Sequence, residues 1–135
     1  GGLGGKGMAD GKLLQAAAAS DVAGVEAALS EGADVHARDG QGSTAILIAS
    51  AGGSKRLVKA LLRASCALDD RNGEGEGVLH LAFSSGHVDL GLYLMQKGAD
   101  PAMKTPDGLD WITYCDMAGL DRGPLQEAIE ASKAH

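Results

Sequence analysis

The chain has 135 residues, 44% of them hydrophobic but only 3% aromatic, with a formal net charge of −6. That length supports one small domain whose core must be built from Leu, Ile, Val and Ala, a composition that suits close-packed helices better than a β-sandwich. The acidity argues against nucleic acid or an anionic membrane surface as partner.

The chain opens on GGLGGKG, ahead of Met8, and residues 1–9 are expected to be a flexible Gly-rich leader or tag remnant. GKLLQAAAASD then gives a first helix and VAGVEAALSEG a second. A polar turn, GADVHARDGQG (32–42), leads into the apolar segment TAILIASAG and the amphipathic segment KRLVKALLRA. Its longest apolar run, AILIA, is far too short to cross a bilayer, so no membrane insertion is expected. SCALDDRNGEG (65–75), VLHLAFSSG and VDLGLYLMQKG repeat the order, followed by GADPAMKTPDG (98–108) and GLDWITYCDMAG. A last helix is expected after Pro124, with Leu125, Ala128 and Ile129 as its apolar stripe. Cys66 and Cys115 form no C-x-x-C and stand too far apart in this order for a disulfide. With no secretory signal visible, this fits an intracellular, reducing compartment. The cytoplasm comes first, and a plastid or mitochondrion if the Gly-rich start is a trimmed leader.

The order is a repeat. Steps of 33 residues align Gly42 with Gly75 and Gly108, Ile46 with Leu79 and Ile112, and Ala49 with Ala82 and Cys115. Gly53, Gly86 and Gly119 align in the same register. One helix–turn–helix unit cannot bury its own apolar face, but stacked units can, so the pattern predicts a solenoid. Gly32 and Gly98 sit where a left-handed residue ends the second helix of a unit.

These residues resemble the ankyrin repeat, whose pattern is D-x-x-G-x-T-P-L-H-L-A-A-x-x-G-H, an apolar helix, and G-A-D-V-N-A. The unit from Asn72 matches at Gly75, Leu79, His80, Leu81, Ala82, Gly86, His87, Gly98, Ala99 and Asp100. The resemblance implies an all-α ankyrin-repeat solenoid of helix-turn-helix units joined by β-hairpin-like loops. It implies one domain over 10–135, with repeats at about 10–38, 39–71, 72–104 and 105–135, the first and last as caps. The chain departs from the pattern in three ways. The Pro of T-P-L-H is missing, with Lys12, Ala45, Val78 and Trp111 in its place. Only Thr44 keeps the helix-capping hydroxyl. Gly24, Gly91 and Gly123 stand where the family has Ile or Val, each costing about 1 kcal/mol of helix propensity plus lost packing. Phe83 and Tyr93 are expected to fill the space left by Gly91.

The segment VLHLAFSSGHVDL places His80 and His87 two helical turns apart, a spacing that invites a metal or acid–base reading. The repeat puts them on different helices, and Asp89 is the only further ligand close by, so a structural role is expected for both. His36, in a hairpin, is read the same way. GLGGKG (2–7) and GQGSTA (40–45) imitate a dinucleotide fingerprint but lack the preceding buried strand. No nucleophile elbow or H-E-x-x-H helix is present, and Asp69, Asp70, Glu74 and Glu76 read as a solvated acidic rim. Catalytic residues, metals, cofactors and small-molecule substrates are therefore not expected.

The expected function is a non-catalytic protein–protein interaction module that presents hairpin tips and first-helix residues on a concave face. By position in the family pattern, the face comprises Arg38, Gln41, Ser43, Arg71, Glu74, Glu76, Ser84, Ser85, Lys104, Asp107, Leu109, Trp111 and Met117. Leu109 and Met117 are its apolar members. Trp111 reads either as an exposed anchor or as a cover over the hydrophobic end. The partner is another protein. Two alternatives stand beside this: a stationary subunit of a larger assembly, organellar in one version, and a regulatory fragment of a longer polypeptide.

Overall fold

The structure is a computed structural model that describes residues 5–64, 68–120, 123, 126, 127 and 130. The expected last-helix stripe (Leu125, Ala128, Ile129), Pro124 before it and Cys66 lie outside the described residues. Seven helices and no strand are found among the described residues: α1 Gly5–Ala18, α2 Val22–Ser30, α3 Ala45–Gly52, α4 Lys55–Arg63, α5 Val78–Ser84, α6 Val88–Gln96 and α7 Trp111–Met117. Helix α1 reaches back to Gly5, so it starts within the expected Gly-rich leader, and Ala9 is buried.

Helices α1 and α2, α3 and α4, and α5 and α6 pack as antiparallel neighbours, while α1, α3, α5 and α7 stack side by side in one row. The core runs through the stack as a continuous layer. Leu13, Val25, Ile46, Leu47, Leu57, Leu61, Val78, Leu79, Leu94, Phe83 and Cys115 are all at most 4% exposed. Each unit alone would leave half of that surface in water, so stacking supplies the burial that short helices need.

Caps set the helix boundaries. Asp21, Ser54 and Asp110 accept from the backbone N–H groups of Gly24, Leu57 and Thr113 at 3.0, 3.2 and 3.0 Å. Helix α3 ends at Gly53, whose φ of 77° and bonds to the Ala49 and Ser50 carbonyls close the last turn. Gly32 (φ 95°) and Gly98 (φ 110°) are left-handed after α2 and α6, as their spacing predicts. Thr44 corrects an expectation. It stands at the N-cap of α3, yet its hydroxyl makes no cap bond and is buried with no hydrogen-bond partner.

At Gly91 the expected filling by Phe83 is found, though not by Tyr93. A Cβ there would overlap the Phe83 ring, which fills the groove beside α6. The packing expected to be lost at Gly91 is supplied by Phe83, which also meets Trp111 at 5.1 Å between ring centroids. Tyr93 lies elsewhere, half-buried on the outer surface.

Candidate protein-binding face

The loops before α3, α5 and α7 share one construction. Asp39 Oδ1 accepts from the Gln41 and Ser43 N–H groups, both at 2.9 Å. One repeat on, Asn72 Oδ1 accepts from Glu74 and Glu76 at 2.9 and 3.0 Å. At the third position the Thr105 hydroxyl accepts from Leu109 N–H at 3.1 Å. A short polar side chain facing its own backbone holds each tip in shape before anything binds.

The loops are also fastened to one another. The Gly73 N–H donates to the Gln41 carbonyl at 3.0 Å. Arg38 Nη1 donates to the carbonyls of Gly42 and Arg71, both at 2.6 Å. Arg71 Nη1 repeats the arrangement on Gly75 and Lys104, at 3.3 and 2.5 Å. Each guanidinium therefore closes its own hairpin and clasps the next. Both arginines were expected on the binding face; they are exposed, but Nη1 of each already serves the scaffold. Their 33-residue spacing was the available signal.

Both histidines are used in the same way. His80, 1% exposed, accepts from Gly77 N–H at Nδ1 (3.0 Å), leaving the Nε2 proton to donate to the Leu109 carbonyl at 3.0 Å. It thus caps α5 from its third residue and ties that helix to the next loop. Burial holds its pKa below the ordinary histidine value. His87 precedes α6, with Nε2 3.1 Å from the Ala51 carbonyl one repeat back. Among the described residues no group of three or more His, Cys, Asp and Glu side chains could hold a metal ion.

A groove of about 580 Å³ runs between the loop tips and the helices α3 and α5. Ala18, Ile48, Ala51 and Leu81 form its apolar floor, and Asp39, Gln41, Ser43, Asn72, Glu74 and Glu76 its polar rim. Glu76 is held on both oxygens: Asn72 Nδ2 donates to one at 3.0 Å and the Tyr114 hydroxyl to the other at 2.9 Å. Burial, with Glu76 alongside, pushes the Tyr114 pKa up to about 12.

The structure thus brings Gln41, Ser43, Glu74 and Glu76 together at one groove, although Ser43 is only 9% exposed. Ser84, Ser85, Lys104 and Asp107 are exposed outside it, Met117 is 71% exposed, and Leu109 is half-buried. Of the two readings of Trp111, the exposed anchor does not hold: at 5% exposure it is buried against Phe83. The sequence reading missed Ile48 and Leu81. They occupy the same position in successive repeats, so a half-buried apolar residue recurring there was the signal.

Residues 13–105 match the family described as ankyrin repeats in three copies. The chain belongs to the ankyrin repeat family. It is also similar to the Ankyrin repeat and KH domain-containing protein mask-1 of Caenorhabditis elegans, 36% identical over 77 residues. That match covers 56% of this chain and 3% of the far longer relative. Ankyrin repeats are generally protein–protein interaction modules. None of its helices among the described residues is long and apolar enough to cross a membrane.

Proposed function

We propose that this ankyrin array is a non-catalytic interaction module that holds a segment of another protein in the groove between its loop tips and helices α3 and α5. The observation that carries this reading is the contrast inside the groove. Its floor is apolar, while its rim ends in Gln41, Glu74 and Glu76, whose backbone is fixed by Asp39 and Asn72. A partner side chain would bury apolar surface on Ile48 and Leu81, and its flanking donors would meet carboxylates and an amide that need little reordering. His80 and His87 are engaged in scaffold bonds, which supports a non-catalytic role.

Photo-crosslinking amino acids placed at Gln41 and Glu74, and separately at the exposed outer positions Glu26 and Ala27, test the reading in cells that express the protein. The groove positions are expected to trap the same partner, with the outer ones trapping none of it. Gln41→Lys with Glu74→Lys is expected to abolish the adduct while leaving the melting temperature unchanged. Equal trapping from both sets of positions would overturn the assignment.

A further inference from the structure

The outer surface of α4 carries a charge pattern that its own fold does not neutralise. Lys55, Lys59 and Arg63 follow one another four residues apart, Arg56 lies beside them, and the helix holds no acidic residue. Like charges at that spacing repel along a helix, and Lys55 and Arg56 occupy a first turn whose dipole disfavours cations. From α6, Lys97 joins them. The ammonium groups of Lys55, Lys59 and Lys97 lie 4.7, 5.7 and 5.5 Å from the centre of one ring, Tyr93. One tyrosine face cannot offset three converging cations. Among the described residues none of them has a carboxylate within salt-bridge reach; the ion pair found there, Lys12 with Glu31, lies elsewhere. Asp89, at the start of α6, borders a neighbouring hollow together with Lys55 but does not reach it. This concentration of positive charge sits on a chain of net charge −6.

We infer that the α4–α6 outer face is a second docking site, distinct from the groove, for a short acidic segment of a partner protein carrying an apolar side chain among its carboxylates. A depression of about 450 Å³ between the two helices is lined by Lys59, Leu62, Arg63, Tyr93 and Lys97. Leu62 and the Tyr93 ring offer an apolar contact, and the cations surround it. That mixture fits a peptide better than a bare phosphate, which has nothing to place on Leu62. A long polyanion such as nucleic acid would run off the patch onto acidic surface, whereas a short segment feels mainly charges within about 8 Å at physiological salt.

The probe is a fluorescent nonapeptide of Asp and Glu around a central Leu, titrated by anisotropy at low and physiological salt. Binding that weakens with salt and falls about tenfold or more in Lys59→Glu with Lys97→Glu is expected, from two exposed charge contacts reversed. Lys59→Gln with Lys97→Gln gives the same direction if the reversal disturbs folding, which circular dichroism reads. Gln41→Lys with Glu74→Lys is expected to leave this binding unchanged, so failure here and failure of the groove reading are distinguishable. No binding of the peptide, binding indifferent to the α4–α6 variants, or tighter binding of a nine-nucleotide single-stranded DNA would each overturn the inference.

Discussion

His80 and Thr44 show how a two-residue device can be split between repeats. The family's pattern pairs a Thr cap with a His three residues on. Here the unit at α3 keeps Thr44 with Leu47, and the unit at α5 keeps His80 with Gly77. The orphaned hydroxyl and the backbone-bonded imidazole follow from that division. Thr44→Val keeps the shape and removes a buried hydroxyl that has no partner, so it is expected to stabilise by about 1 kcal/mol in urea denaturation. His80→Leu is the opposite case. It strands the Gly77 N–H and the Leu109 carbonyl, and is expected to cost about 2–4 kcal/mol, while His80→Gln keeps the bond to Gly77 and costs less. The pH dependence has a definite sign. The folded-state pKa of His80 is lowered, so the unfolded chain takes up this proton first and the contribution is lost as pH falls below the ordinary value of about 6.5. Stability measured between about pH 7 and 5.5 should therefore fall less steeply in either variant than in the parent chain.

At the scale of an element, α6 shows why a glycine inside a helix is not always a weakness. Alanine at position 91 would gain about 1 kcal/mol of helix propensity. Its Cβ would meet the Phe83 ring, and overpacking of that kind costs about 1–3 kcal/mol. Gly91→Ala is thus expected to destabilise, and the same change made on top of Phe83→Leu is expected to stabilise. A double-mutant cycle in urea reads that reversal of sign, and additivity within a few tenths of a kcal/mol would contradict the packing argument. This pair also marks what sequence could tell. Helix identity and order were legible because the apolar pattern repeats in one register, and the histidines' structural role was legible from their repeat positions. The exposure of Trp111 was not, because it depends on how far the Phe83 ring extends into the next repeat. Two residues of the groove floor were missed for a related reason: Ile48 and Leu81 look like ordinary core residues in sequence, and only the packing leaves them half-covered at the groove.

At the scale of the molecule, stability is a chain of neighbour contacts, and the arginine clasps are among them. Arg71 joins the loop before α5 to the strand of backbone entering α7 through Gly75 and Lys104. Removing it takes away one carbonyl contact across the junction and one within its own loop, and leaves every repeat's own core intact. In a linear array, weakening one junction lowers not only total stability but the coupling that makes distant repeats unfold together. Arg71→Ala is accordingly expected to cost about 1–2 kcal/mol and to reduce the steepness of urea unfolding, because the α7 end begins to open before the rest. Amide exchange should speed up at Thr105 and Leu109, whose N–H groups bond within the loop that Arg71 holds. Glu74→Ala is the control, since the Glu74 side chain lies exposed at the same loop and its backbone bond to Asn72 is retained. If Arg71→Ala shifts the urea midpoint with an unchanged slope and unchanged exchange at Thr105 and Leu109, the clasp contributes to stability without coupling the repeats, and the groove owes its rigidity to the Asp39 and Asn72 turns, the Arg38 clasp and the Gly73–Gln41 bond.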